Sequence, residues 1–418
     1  MESWKRNLYV LWVAELVAIA GFSVFSPFLP YYVQELGVHD LHAVELWSGA
    51  LFASQAVAMA VFSPIWGAMA DRYGRKLMVE RAMFGGAIVL TAMGFVHNVQ
   101  QLLVLRVLQG ALSGTVAAAT TLVASTTPRD RSGYALGLLQ MAVWGGASVG
   151  PLIGGLVADT WGYRAAFYVT GALLLVAGLT VWRFVEEKRE PKARNGGAGD
   201  GFWDGLKAVA HHRPLLSLYG IELLARTGTS LLAPLLALFI QSLVPGSTRI
   251  ASITGLVSGA AAATSAVGAL TIGRASDRAG YRRVLIICLA STAVVYVPHY
   301  FVSSPWQLLV LQGALGIVIS GVLASFSALL ANLSPEGLHG AVFGVDASVS
   351  SLANAMGPML GASIATSTGL RVPFLIAALA FALASGVAWL WGPRVAGRGS
   401  STSANWKVGP HDSARSQR

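Results

Sequence analysis

Long apolar runs separated by short polar loops fill the chain from residue 8 to residue 391. A helix needs about 20 apolar residues to cross the hydrocarbon core of a bilayer, and the runs reach that length. Helices are the expected form because lipid offers no hydrogen-bond partner to an exposed peptide group. We therefore predict an all-α membrane protein with twelve transmembrane helices. The predicted spans are 8–33, 46–70, 77–97, 101–125, 134–158, 164–185, 214–243, 250–274, 283–302, 306–331, 340–366 and 371–391.

Polar segments divide these spans into two groups of six. Residues 187–213 form the longest loop and are rich in charge and glycine, as is typical of a linker. We expect six-helix bundles at 1–186 and 214–392, and a disordered polar tail at 393–418. The first apolar run continues to Val33, too long for the core of a signal peptide, so we expect it to be retained.

Composition agrees with a lipid environment. Of 418 residues, 55% are hydrophobic and 11% are charged, and the mean hydropathy is +0.62. An average soluble domain is about 25% charged. The net charge of +10 could indicate a nucleic-acid partner, but the Lys and Arg residues lie in short loops, so no nucleic acid is expected. Cys288 is the only cysteine, which excludes a disulfide within the chain and a Cys-ligated metal site.

The basic residues predict the orientation. Loops rich in Lys and Arg stay in the cytoplasm. Here such loops alternate with loops that contain few basic residues. Both termini and the linker fall on the basic side. We therefore expect a multi-pass protein of the inner (plasma) membrane with both termini in the cytoplasm. The basic residues concerned are Lys5, Arg6, Arg72, Arg75, Lys76, Arg129, Arg131, Arg278, Arg282, Arg283, Arg394 and Arg398.

The two groups of six spans are copies of one unit. Five patterns recur at an offset of 206 or 207 residues, which a coincidence of composition does not explain. Six helices per copy give both copies the same orientation, so an axis along the membrane normal relates them and a shared cavity lies at the midplane. The matched pairs are 67–76 with 273–282, 101–106 with 307–312, Gly150-Pro151 with Gly357-Pro358, 162–164 with 369–371, and Pro27 with Pro234.

Five ionisable residues stand out inside the predicted spans: Glu15, Arg106, Glu222, Arg226 and Asp346. Each charge costs about 2.5–3.5 kcal/mol at a helix centre, so each is expected to face the cavity or a partner. We predict roles in proton coupling or substrate binding. Glu222 and Arg226 are four residues apart and could instead neutralise each other, and Arg106 could form a structural ion pair. Glu15 and Asp346 lie nearer the cytoplasmic ends, where snorkelling or water contact is the alternative.

A glycine-rich motif lies in the fifth predicted span. Gly146, Gly150 and Gly154 recur every four residues and would form a smooth groove for a neighbouring helix. Pro151 removes a backbone hydrogen bond and permits a bend, and Gly155 extends the motif. Such a contact could seal one side of the cavity and limit proton leak. Ordinary small-residue packing is the alternative.

A charged loop follows the second predicted span and holds four charges in six residues. Its basic residues set the orientation. Its carboxylate could cap a turn or hold the N-terminus of another helix, a contact worth roughly 0.3–1 kcal/mol when exposed and up to about 2 kcal/mol when partly buried. We interpret the loop as a gating motif made of Gly67, Asp71, Arg72, Gly74, Arg75 and Lys76.

These motifs resemble those of the major facilitator superfamily over nearly the whole chain. The loop motif 67–76 and the fourth-span motif 106–110 mark the superfamily. The motif 146–155 resembles the antiporter motif of exporters in its twelve-span drug:proton antiporter branch, and its second copy, 357–362, is degraded, as the resemblance implies. Similarity to MdtG-like multidrug efflux proteins is carried by residues 4–7, 27–30 and 128–133.

The resemblance implies roles for single residues. It implies that Asp71 holds the N-terminus of the eleventh span, near Gly340, while the transporter faces outward. It also implies a proton-coupling role for Arg106. The expected fold is the major facilitator fold, with its twelve helices in two bundles.

The predicted function is secondary active export of drug-like or amphipathic small molecules in exchange for protons, by alternating access. The alternative is a proton-coupled importer or exchanger of a metabolite such as a sugar or organic anion, with Arg106 and Arg226 binding charge. A third class, a membrane receptor or structural protein, would need a ligand or output domain that this sequence does not show.

The sequence gives no sign of reaction chemistry. It has no Walker loop, no GxGxxG motif after a strand and no spacing of metal ligands. We therefore expect no enzyme activity, no cofactor and no metal. The expected partners are a small-molecule substrate, protons and the lipid bilayer, with the chain acting as a monomer.

Overall fold

The computed structural model describes residues 3–128, 131–187, 212–334 and 339–391. The predicted tail at 393–418 and nearly all of the predicted linker at 187–213 lie outside these residues. The described part of the chain is helical and contains no strand.

Fifteen α-helices are found in the described ranges, together with short 3-10 helices at Ser26–Phe28 and Val297–Phe301. The α-helices are α1 (Ser3–Phe25), α2 (Leu29–Glu35), α3 (Leu41–Tyr73), α4 (Arg75–Met93), α5 (Val99–Leu112), α6 (Thr115–Thr126), α7 (Ser132–Trp161), α8 (Tyr163–Phe184), α9 (Arg213–Ser230), α10 (Leu235–Leu243), α11 (Ile250–Ala279), α12 (Tyr281–Tyr296), α13 (Pro305–Leu333), α14 (His339–Thr368) and α15 (Val372–Trp391).

Every predicted span contains helix in the structure. Among the described residues, ten stretches are long and apolar enough to cross a membrane, and α4 and α14 are not among them. The first two turns of α4 carry Arg75, Lys76, Glu80 and Arg81, and α14 is rich in Gly, Ser and Thr. Ten crossings therefore follow from helix length and composition alone.

Two of the predicted spans are broken near the matched prolines. Pro27 lies in the 3-10 helix between α1 and α2, and Pro234 ends the turn between α9 and α10. Proline lacks the N–H group that would continue the helical hydrogen bonds. A third break separates α5 from α6 at Gly114, whose φ of +121° favours glycine. The prediction of one unbroken helix over 101–125 missed this turn.

Matched side chains hold each half together at the end of the molecule that contains Ser3, which we call the proximal end. Lys76 Nζ donates to the Trp182 carbonyl oxygen at 3.0 Å, and Arg282 Nη2 donates to the Trp389 carbonyl oxygen at 2.6 Å. These pairs are related by the same offsets of 206 and 207 residues as the sequence copies.

The opposite end of the molecule, the distal end, shows the same correspondence. Arg164 Nη1 donates to the Gly94 carbonyl oxygen at 3.0 Å, and Arg371 Nη1 donates to the Tyr300 carbonyl oxygen at 2.9 Å. Each arginine lies at the start of the last helix of its half, α8 or α15. Its partner carbonyl follows α4 in one half and α12 in the other. The internal repeat predicted from the sequence is therefore confirmed.

Each half has its own hydrophobic core. One cluster of buried apolar side chains draws on α1 to α8, with Leu238 added from the other half, and a second draws on α9 to α15. A small third cluster joins the halves near the distal end. It consists of Phe28, Tyr31, Ala158, Ala237 and Ala251.

The halves meet along two equivalent helix pairs, α7 on α11 and α14 on α3. A Cβ atom at Gly155 would lie 2.6 Å from the Ala251 carbonyl oxygen, and one at Gly49 would lie 2.8 Å from the Pro358 carbonyl oxygen. Only glycine permits backbones to approach so closely. The contact between the halves therefore depends on small residues in both pairs.

Gly110 offers a test of whether close helix packing within one half also depends on glycine. A Cβ atom there would clash with the Gln55 carbonyl oxygen and lie 2.8 Å from Ala58 Cβ. We expect Gly110→Ala to destabilise the protein by about 1–3 kcal/mol because α5 must move away from α3. Thermal unfolding in detergent, followed by size-exclusion chromatography, measures the change. Gly137→Ala is the control, since a Cβ there meets nothing within 4 Å, and an equal loss in both variants would contradict the expectation.

Candidate functional site

A cavity of about 210 Å³ lies between the two halves, where the broken helices face each other. Its walls are mostly apolar, with three hydroxyl side chains, and none of its lining residues is charged. Broken helices leave backbone groups free to meet a ligand, and such breaks commonly form the binding sites of transporters. The cavity is lined by Ser26, Pro27, Phe52, Ala233, Leu236, Ala237, Thr254 and Ser258.

Arg106 lies directly behind this cavity and is 2% exposed. Its guanidinium donates to the Leu51 carbonyl at 3.2 Å, to Gln109 Oε1 at 2.6 Å and to Gln55 Oε1 at 3.1 Å. It also lies 5.5 Å from the ring centroid of Phe52, a residue of the cavity wall. All its acceptors are neutral, and the salt bridges seen among the described residues do not include it. The structural ion pair considered for Arg106 is therefore not observed in the described part of the chain.

Glu15 is completely buried in the same half. Its exposed fraction is 0%, and it lies on α1 beside Thr115 at the start of α6. Neither carboxyl oxygen has a hydrogen-bond partner of good geometry in the described residues. The alternative in which Glu15 snorkels or contacts water is wrong, because the packing of α6 against α1 encloses it.

A second polar cluster lies between α9 and α14. Arg226 Nε donates to Glu222 Oε1 at 2.8 Å, and Ser350 Oγ donates to the same oxygen at 2.7 Å. The Asp346 carboxyl group lies beside that of Glu222, which is 4% exposed. The structure thus shows the ion pair that the four-residue spacing allows. It brings three of the five predicted ionisable residues together and leaves the other two in the opposite half.

Polar side chains close the distal end between the halves. Tyr31 Oη donates to the Ala237 carbonyl oxygen at 2.6 Å and lies 2.9 Å from Thr254 Oγ1. Gln34 and Gln241 exchange hydrogen bonds of 2.8 and 2.9 Å. Each bond joins α2 to the other half, so the cavity is closed on its distal side.

Asp159 makes the most polar of these distal contacts. Its carboxylate accepts hydrogen bonds from the backbone N–H groups of Ala251 at 3.1 Å and Ser252 at 2.8 Å. These residues form the first turn of α11, where unpaired N–H groups and the helix dipole favour a negative charge. The contact therefore fastens the end of α7 to the opposite half.

The loop motif turns the chain between α3 and α4 at the proximal end. Gly74, with φ of +105°, joins the two helices. The backbone N–H groups of Arg75 and Lys76 donate to the carboxylate of Glu187 at 3.0 and 2.9 Å. This arrangement within one half repeats the chemistry of the distal contact, since a carboxylate again caps a helix N-terminus.

The other residues of the loop motif make fewer contacts in the described structure. Gly67 has open space beside it, and the Arg72 guanidinium lies 5.2 Å from the ring centroid of Tyr73. The side chain of Asp71 lies outside what the structure describes. Its contact with the helix end near Gly340 stays a prediction.

The glycine-rich motif on α7 has two packing faces. A Cβ atom at Gly146 would lie 2.7 Å from a carbonyl oxygen of α1, and Gly150 and Gly154 approach later turns of the same helix equally closely. Gly155 faces α11 of the other half instead. Pro151 lies inside α7 without ending it. The motif therefore packs against one helix in each half.

Comparison with known proteins gives the family. A model of the Major Facilitator Superfamily matches residues 11–243 and 218–408. The chain belongs to this superfamily. Its members are membrane transporters and generally not enzymes, so this member is a multi-pass transporter of small molecules in the inner (plasma) membrane.

Curated relatives extend the match over most of the chain. Multidrug resistance protein MdtG of Dickeya zeae (strain Ech586) is 37% identical over 387 residues, which cover 93% of this chain and 94% of the relative. Multidrug resistance protein MdtG of Salmonella arizonae is 35% identical over 376 residues, covering 90% and 93%. The resemblance to MdtG-like proteins is therefore confirmed.

Solved structures show the same fold. A bacterial homolog of the human lysosomal transporter Spinster, in an inward-facing and unoccupied conformation, matches with a TM-score of 0.75 at 16% identity, over 93% of this chain and 97% of that chain. The human organic anion transporter MFSD10 matches with a TM-score of 0.66 at 18% identity, over 93% and 100%. At these identities the likeness concerns the fold alone.

Two site residues were missed by reasoning from the sequence. Asp159 and Glu187 both bind the N-terminus of a helix that is distant along the chain. A signal for Asp159 did exist, because an acidic residue in the last turn of α7 opposes that helix's own dipole. The sequence alone does not say which other helix it binds.

Asp159 also gives a test of the distal closure. We expect Asp159→Ala to shift the molecule toward a state open at the distal end, because the contact is worth up to about 2 kcal/mol, or a factor of up to about 30 in population. Electron paramagnetic resonance distances between spin labels at the exposed positions His97 and Thr248, in a Cys288→Ser background, measure this shift.

The control is Asp40→Ala, which removes a carboxylate of the same chemistry at the same end. Asp40 Oδ2 accepts a hydrogen bond from Ala43 N at 2.8 Å within its own half. An unchanged distance distribution in Asp159→Ala, or an equal shift in both variants, would show that the closure does not depend on Asp159.

Proposed function

We propose that this chain exports drug-like or amphipathic small molecules in exchange for protons, by alternating access. The observation that carries the proposal is the mostly apolar cavity at the two helix breaks, with walls from both halves. A site shared by two rigid bundles changes its access when the bundles rock. The relatives in Dickeya and Salmonella are multidrug resistance proteins by name, which supports a drug-like substrate.

In this proposal twelve helices cross the membrane and both termini are cytoplasmic. α4 and α14 supply the two crossings beyond the ten apolar stretches, since α4 packs on α5 and α8, and α14 packs on α3 and α9. Basic residues at the proximal end support its cytoplasmic location. The bundles are residues 1–186 and 214–392, joined by the linker 187–213 and followed by the tail 393–418, and one chain is the transporting unit.

The transport cycle would exchange closure at the distal end for closure at the proximal end. The hydrogen bonds of Asp159, Tyr31 and Gln34 hold the distal side closed in the present conformation. In the opposite conformation Asp71 would hold the N-terminus of α14 near Gly340. In this proposal each closure uses a carboxylate bound at a helix N-terminus. Such a contact stabilises the closed arrangement by only a modest amount, so the carboxylate and the helix can separate again.

Proton coupling would reside in the buried ionisable groups. Arg106, held by neutral acceptors, can respond to a change of charge in Glu15 or in the cavity. Glu222, Arg226 and Asp346 form the second group, between α9 and α14. The close packing of the antiporter motif, Gly146 to Gly155, would keep water and protons from leaking past the cavity.

Import or exchange of a sugar or organic anion has less support. That function would use Arg106 and Arg226 to bind charge. Arg226 is already paired with Glu222, and Arg106 lies behind Phe52. Neither arginine lines the cavity.

Ser258 tests the cavity as the transport site. We expect Ser258→Trp to abolish transport, because the indole would fill much of a cavity of about 210 Å³. Efflux of a fluorescent drug from cells lacking their own pumps is the measurement. Val267→Trp is the control on the same helix, since Val267 is 57% exposed. Normal efflux by Ser258→Trp would place the substrate elsewhere.

Inside-out vesicles test the proton coupling. We expect drug uptake that a protonophore reduces to the level of empty vesicles, because the gradient supplies the driving force. Arg106→Ala and Glu222→Gln should lose this uptake. Glu35→Gln, at a partly exposed distal position, should retain it. Uptake that ignores the proton gradient would refute the coupling, and a drug-susceptibility panel with the same variants identifies the substrates.

A further inference from the structure

The geometry between α9 and α14 points to a shared proton, and we propose that Glu222 and Asp346 together carry one proton as a single unit of the transport cycle. The inference rests on the proposed proton-coupled function and deepens it, because it names the group that binds the proton. The bound proton forms an O–H bond on one carboxyl group and a hydrogen bond to the other. On release it passes to water and leaves two carboxylates.

The hydrogen bonds of the cluster leave room for one such proton. Glu222 Oε1 already accepts from Arg226 at 2.8 Å and from Ser350 at 2.7 Å. Glu222 Oε2 and one oxygen of Asp346, Oδ1, are buried and have no donor among the described residues. Ser350, which contacts Glu222, follows Asp346 by one turn of α14, so the two carboxyl groups nevertheless face each other. Since ionised carboxylates are acceptors only, a proton on one of them is needed to join the pair.

The charges lead to the same count. Arg226 supplies one positive charge against two carboxylates, so the fully ionised cluster carries one uncompensated negative charge. An uncompensated charge is costly inside a membrane-spanning helix, and one proton removes it. When two carboxyl groups interact this closely, the proton belongs to the pair and not to either residue.

Other groups near the pair do not change this count. Tyr219, on α9, is the remaining titratable side chain found beside both carboxyl groups in the described structure, and its hydroxyl donates to the Val342 carbonyl oxygen at 2.9 Å. The other helices that pack on α9 are α13 and α15, and neither contains a charged or titratable residue. α3 packs on α14, and it has no charged or titratable residue between Glu45 and Asp71.

The position of the pair connects the proton to the contact between the halves. α9 leads into the break before Pro234, beside the cavity, and α14 packs on α3 of the other half. Farther along the same pair of helices, Gly361 approaches the Leu231 backbone closely and Ser230 Oγ donates to the Ala353 carbonyl at 2.9 Å. Loss of the proton would make the carboxylates repel each other, so α14 would turn about this fixed contact.

Infrared spectroscopy of the full chain in lipid tests the proposal, because the C=O stretch of a protonated carboxyl group is separate from the carboxylate bands. At a pH where the pair is loaded, we expect Glu222→Gln and Asp346→Asn to lose the same protonated-carboxyl band. In each variant Arg226 neutralises the carboxylate that remains, and the new amide supplies the missing donor. Arg226→Gln should roughly double the band, because both carboxyl groups then need a proton. Glu35→Gln is the control and should leave the band unchanged.

Each outcome bears on the shared proton. A band lost in only one of the two carboxyl variants would assign the proton to that residue alone and overturn the sharing, and a band that persists in both would place the proton elsewhere. If Arg226→Gln fails to fold, Glu222→Gln and Asp346→Asn still show whether the two residues share the proton. If transport is driven by protons but the bands of the variants do not change, the shared proton is refuted and the proposed function is not. Bands that change as expected, in a protein whose transport ignores the gradient, would support the pair and refute the proposed function.

Discussion

Lipid neither hydrogen-bonds to a peptide group nor solvates a charge, and the structure follows from that constraint. The described chain is helical because a helix satisfies its own backbone. Where α1 and α9 give way to short breaks at Pro27 and before Pro234, the irregular backbone lies beside a cavity inside the protein. Charges obey the same constraint, since Arg106 is held by three neutral acceptors and Glu222 by Arg226.

Because lipid supplies no hydrophobic drive for helix association, the halves depend on close van der Waals packing. Gly155 and Gly49 let α7 approach α11 and α3 approach α14 until backbones touch. At both positions the neighbouring atoms belong to the backbone or to a small side chain such as Ala362. The polar bonds of Tyr31 and Asp159 lie at the distal edge of this interface and add selectivity for the closed arrangement.

The two halves share the bonds that hold each of them together, but they do not share their buried charged residues. Bonds that hold each half together are the same in both, as Lys76 and Arg282 show at one end and Arg164 and Arg371 at the other. The buried charges are not duplicated in this way. One half contains Arg106 with Glu15, and the other contains the acidic cluster around Glu222. Duplication thus supplied the frame, and divergence of a few polar positions made the two halves chemically complementary.

The sequence by itself determined the membrane class, the approximate positions of the helices and the repeat, in which Pro27 matches Pro234, because apolar length and repeated patterns can be read locally along the chain. The breaks that these two prolines make in the first and seventh predicted spans appeared only in the structure. The sequence also allowed the bond between Glu222 and Arg226, four residues apart. It missed the break at Gly114, where a single glycine inside an apolar run carries little signal. Only the tertiary structure decided that Glu15 is enclosed, that Asp346 meets Glu222 and that Asp159 binds α11. Those outcomes depend on how helices distant in sequence pack together, and no local pattern encodes that packing.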